Sequence, residues 1–126
     1  MKVIAIASGI LLSVASGAMS QAPSPADTKG EWTRGDGNAR VKIVPCGDAM
    51  CATNIWVKDT SRGEAVGDVL VMSVKPKGDS LVGSAFDRKR NLKYAMEIKV
   101  EESRLLARGC IIGGLVCKSM GWSRYR

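Results

Sequence analysis

Histidine is absent from this 126-residue chain, and with it the commonest general base and metal ligand. No Gly-x-Ser-x-Gly elbow is present to expose a serine nucleophile. The four cysteines include no Cys-x-x-Cys pair, which removes the usual redox arrangement, and their spacing makes no zinc knuckle. Aromatic residues amount to only 5% of the chain, too few for the stacking face of a single-strand nucleic-acid binder. No apolar run reaches the roughly 20 residues of a membrane-spanning helix. In the mature chain, no segment has a convincing amphipathic helical period. The acids Glu31, Asp36, Asp48, Asp87, Glu97 and Glu101 are scattered over turns and outward strand positions, and nothing in their spacing demands a catalytic pair. These absences turn expectation away from enzymatic activity, bound metal, cofactors and nucleic acid.

What is present begins with an export signal. Lys2 supplies the positive end, Val3 to Ala15 form the apolar stretch, and small residues crowd Ala18 to Ala22. Residues 1–22 are expected to be the signal peptide, with cleavage after Ala18, Ser20 or Ala22. Residues 23–28 follow as a flexible N-terminus, and 29–126 form one domain with no transmembrane span. Its place is then the periplasm or the medium. The chain carries a net charge of +7, and losing Lys2 with the signal leaves it basic. In an oxidising compartment, four cysteines in so small a domain imply two disulfides.

The mature chain is all-β in pattern. In Leu92–Val100, residues Leu92, Tyr94, Met96, Ile98 and Val100 fall on one face while Lys93, Glu97 and Lys99 fall on the other. Ala39-Arg40-Val41-Lys42-Ile43 and Arg104–Arg108 alternate likewise. Turn signals at 35–38, 46–48, 62–64, 76–79 and 88–91 separate eight strands, expected near 30–34, 39–45, 53–58, 68–75, 80–87, 92–101, 104–110 and 119–125. Short strands joined by hairpins suggest a sandwich or an up-and-down barrel, and eight is a number at which a barrel closes.

A meander also bears on cysteine pairing. Successive turns alternate between the two ends of the sheet, so the second turn, with Cys46 and Cys51, lies opposite the seventh, with Cys110 and Cys117. Bridged Cα atoms must lie within about 7 Å, which selects the local pairs Cys46–Cys51 and Cys110–Cys117.

Gly30-Glu31-Trp32 opens the first strand and Trp122-Ser123-Arg124 lies in the last, which are neighbours in a closed barrel. Trp32, Trp122 and Arg124 are expected to close the barrel bottom through a guanidinium stacked on an indole. This pairing resembles the Gly-x-Trp and terminal Arg of lipocalins. More specifically, Pro45-Cys46-Gly47-Asp48-Ala49-Met50-Cys51, Ile55-Trp56, Lys75-Pro76-Lys77-Gly78 and the tail Gly109-Cys110 to Arg124 resemble the bacterial domain-of-unknown-function family 2147. The resemblance runs from about Lys29 to Arg124. It implies a small exported protein with a lipocalin-like (calycin) barrel, all-β and antiparallel, and no established activity. Two departures stand out: Phe86-Asp87-Arg88 replaces a Tyr-Asp-Pro common in the family, and the Asp59–Asp68 segment is short, which argues against a lid at that rim.

Function is therefore expected to be non-catalytic binding. Val41, Ile43, Leu70, Met72, Val74, Tyr94, Met96 and Ile98 are the inward candidates, although the strand at 68–75 is apolar on both faces. They could line a site for a small apolar or amphipathic ligand; the simpler expectation for so short a chain is a packed or small-cavity core. The alternative function is an envelope interaction module or inhibitor working through its rim loops. Arg88, Lys89 and Arg90 would then meet an anionic envelope component or an acidic protein. A single copy is expected, and any functional site is placed inside the barrel or at the rim near Cys46–Cys51.

Overall fold

The computed structural model describes residues 22–111 and 113–125; the expected signal peptide falls almost wholly outside them. Eight antiparallel strands run in order around a closed barrel: β1 (Gly30–Arg34), β2 (Ala39–Cys46), β3 (Ala49–Val57), β4 (Val69–Lys77), β5 (Ser80–Asp87), β6 (Leu92–Val100), β7 (Arg104–Ile111) and β8 (Val116–Arg124). β1 closes the cylinder on β8, with Trp32 opposite Arg124 and Arg34 opposite Trp122. Among the described residues no helix is long and apolar enough to cross a membrane.

The alternation expected in β6 holds from Lys93 onward: Ile98 is buried, Tyr94, Met96 and Val100 are half-buried, and Lys93, Glu97 and Lys99 face water, whereas Leu92, expected on the inner face, is exposed. In β4, where both faces are apolar, Met72 and Val74 go inward. Val71 sits opposite Phe86, which is among the exposed large apolar residues. Two strands begin earlier than their turn residues suggested. β3 starts at Ala49 and β8 at Val116, because the hairpin ladder continues through both cysteine loops. Cys46 is bonded to Cys51 and Cys110 to Cys117, at opposite ends of the barrel. A register shift between Arg40 and Val41 lets Ile55 bulge from β3. That bulge turns Trp56 outward, where Arg40 stacks between it and Tyr125 at 5.5 and 3.7 Å.

The segment expected to be a flexible N-terminus contains a 3-10 helix, Pro25–Thr28. Ser24 and Asp27 cap it reciprocally, Pro25 presets its first turn, and Thr28 is fully buried. It is held because the Trp32 Nε1 donates to the Thr28 carbonyl at 2.8 Å. The Arg124 guanidinium lies 4.2 Å from the Trp32 ring centroid and donates to the Lys29 carbonyl at 3.2 Å. Trp32, Arg124 and the helix together close this end of the barrel.

Candidate functional site

The barrel is not solid. A cavity of about 470 Å³ opens between the strands, so of the expected packed or small-cavity core the structure shows a cavity. Its walls include Val41, Ile43, Leu70, Met72, Tyr94, Met96 and Ile98, seven of the eight inward candidates. Val74 is buried but lies outside the lining. Small side chains explain the space: Ala52 from β3, Ala107 and Gly109 from β7 line it, and none can fill an eight-stranded interior.

The cavity opens at the end opposite the Trp32 plug. Its rim carries Arg34, Arg62, Glu64, Asp68, Asp87, Arg90 and Lys118. This is the end with the Cys110–Cys117 hairpin, so the cavity lies inside the barrel, one of the two expected places, and opens away from the rim near Cys46–Cys51. The Cys46–Cys51 turn follows β2 at the closed end, where β1 begins. Trp122 also departs from its expected place. It lines the cavity opposite Arg34, two residues along β8 from the Arg124–Trp32 stack.

The short segment 58–68 contributes rim residues despite its length. Glu64 accepts hydrogen bonds from Arg34 and Asn38, each at 2.8 Å. Asn54 donates to the Ala65 carbonyl, and backbone hydrogen bonds join Asn54 to Gly67 and Asp68. Burial works against the Arg34 charge, but the hydrogen bonds it donates to Glu64 and Asp36 outweigh it and raise its pKa. The same hydrogen bonds hold Glu64 and Asp36 below the usual carboxylate range.

The basic turn belongs to this construction. Lys89 donates to the Gly63 carbonyl at 3.1 Å and pairs with Asp68 at 3.3 Å. Arg90 donates to Gly63 at 2.9 Å and pairs with Asp87 at 2.9 Å, and its hydrogen bond to Asp87 raises its pKa. Only Arg88 of the three is exposed without an ion pair among the described residues. Lys89 and Arg90, though exposed, thus tie this turn to segment 58–68.

Sequence pattern missed Arg34, Asn54, Arg62, Glu64, Lys118, Met120 and Trp122 as cavity residues. Met120 and Trp122 share a parity in β8 that would have shown an inward face. The loop residues carried no comparable signal.

These features define a class: a small closed β-barrel with an apolar cavity, plugged at one end and ringed by charge at the other. The family model described as "Uncharacterized protein conserved in bacteria (DUF2147)" matches residues 30–124, and the chain belongs to that family. No curated protein and no solved structure matches the chain.

Proposed function

We propose that this is an exported, non-catalytic binding protein that takes one small apolar or amphipathic molecule into its barrel. The observation that carries this role is the cavity itself. Its 470 Å³ falls within the roughly 300–1,000 Å³ of small-molecule sites. Most of the wall is apolar, and the polar groups gather at the mouth, as an amphipathic guest requires. The two disulfides and the signal-like first 22 residues support a periplasmic or secreted location. Because the barrel leaves no free sheet edge, a single copy can carry the role. The competing role, capture of an acidic partner by Arg88, Lys89 and Arg90, has less support, since two of the three are tied to Gly63, Asp68 and Asp87.

Titration with an uncharged naphthylamine dye tests the role. The wild-type protein should bind one dye with enhanced fluorescence, and Ala107→Trp, which fills the cavity, should abolish binding while retaining a cooperative melt. Failure of the wild type to bind, or undiminished binding by the filled variant, would remove the barrel as the site.

A further inference from the structure

The mouth has an unbalanced set of charges. Its three carboxylates are all engaged. Glu64 receives both terminal nitrogens of Arg34 together with Asn38. Asp68 accepts from the Ala65 amide at 3.0 Å and from Lys89. Asp87 accepts from Arg90 at 2.9 Å and from the backbone amides of Lys89 and Arg90, both at 3.1 Å. The cations are not all engaged: Arg62 and Lys118 line the cavity mouth, are exposed, and have no salt-bridge partner among the described residues.

We infer that the ligand is a single-chain amphipath with an anionic head, a carboxylate or phosphate, held at the mouth by Arg62 and Lys118. This rests on the binding role proposed above. A cationic head would find no carboxylate free to receive it and would face two unpaired positive charges. An anion there completes both and stays partly hydrated, which avoids the penalty of burying a charge. The unpaired cations also draw an anion toward the opening. Beneath them the wall is apolar down to Ile98. Along β6, the steps from Leu92 to Ile98 at about 3.3 Å each, inclined at the usual tilt of about 40°, descend roughly 15 Å. That depth suits one extended dodecyl chain.

Displacement of the uncharged dye by dodecanoate, dodecyl phosphate, dodecanol and dodecylammonium, each below its micellar concentration, tests the assignment. The better anion should bind about tenfold more tightly than the alcohol, the ratio expected of one charged hydrogen bond. The ammonium should be weakest, and the anion's advantage should shrink as salt rises. Which anion leads tells a free fatty carboxylate from a lysophospholipid-type head. Arg62→Gln with Lys118→Gln should bring anion and alcohol to equal affinity. The charge-preserving pair Arg62→Lys with Lys118→Arg, and the outer-wall control Lys93→Gln with Lys99→Gln, should keep the preference. Equal binding of anion and alcohol by the wild type, or a preference that survives Arg62→Gln with Lys118→Gln, overturns the assignment while the dye result leaves the carrier role standing. Binding of no probe at all, dye included, overturns both.

Discussion

Trp32, Arg124 and Gly30 form one unit at the closed end. Trp32 is buried with its indole nitrogen satisfied by Thr28, and Arg124 covers the ring. Arg124→Gln removes a cation–π contact and a hydrogen bond, so it should lower stability by about 1–2 kcal/mol in denaturant titrations. Gly30 has φ of +135°, and an added Cβ would lie 2.7 Å from the Arg124 Nη1. Gly30→Ala should therefore destabilise by about 1–3 kcal/mol, and a variant combining it with Arg124→Gln should lose less than the two separately, because they disturb the same contact. The partnership of Trp32 with Arg124 was legible in the sequence because closing an eight-strand meander makes its first and last strands neighbours. The place of Trp122 was not: a period of two says which face a side chain takes but not how far along the barrel it sits.

Segment 58–68 shows the same limit for a whole element. No periodicity exists in a loop, so neither its position at the mouth nor its ties could be read before the strands around it were in place. The ties of the exposed Arg88-Lys89-Arg90 turn were illegible for this reason, since Gly63 and Asp68 come from a hairpin two strands away. The ties to Arg34 titrate in a defined direction. Glu64 and Asp36 are held below their ordinary values, so their contribution is complete above the unfolded carboxylate range and is lost as pH falls through the folded values beneath it. Melting temperature should hold steady above about pH 5 and decline below about pH 4, and Glu64→Gln should flatten that decline. The local disulfides were legible because a meander keeps each hairpin's cysteines together. Cys110→Ser with Cys117→Ser should cost about 2 kcal/mol, as closing a small loop restrains little of the unfolded chain; denaturant titration of the oxidised proteins measures it.

For the whole molecule, one end is closed by residues that precede the barrel. A chain beginning at Lys29 lacks the Thr28 carbonyl and leaves the buried Trp32 N–H without its partner, so it should lose about 1–3 kcal/mol and admit water to the plugged end. Comparison of denaturant midpoints and tryptophan fluorescence of the two lengths checks this. The sequence by itself determined the all-β class, the eight strands, the inward face of β2 and β6, the two cysteine pairs and the joining of first strand to last. Each is set by local alternation, by turn chemistry or by the order of hairpins. Only the tertiary structure decided that the interior is hollow, that it opens beside Cys110–Cys117, and that Arg62 and Lys118 make no salt bridge at its mouth among the described residues. A cavity's volume depends on side chains from every strand at one depth, and the charge at its mouth depends on which loops meet there; neither is a property of any single stretch of chain.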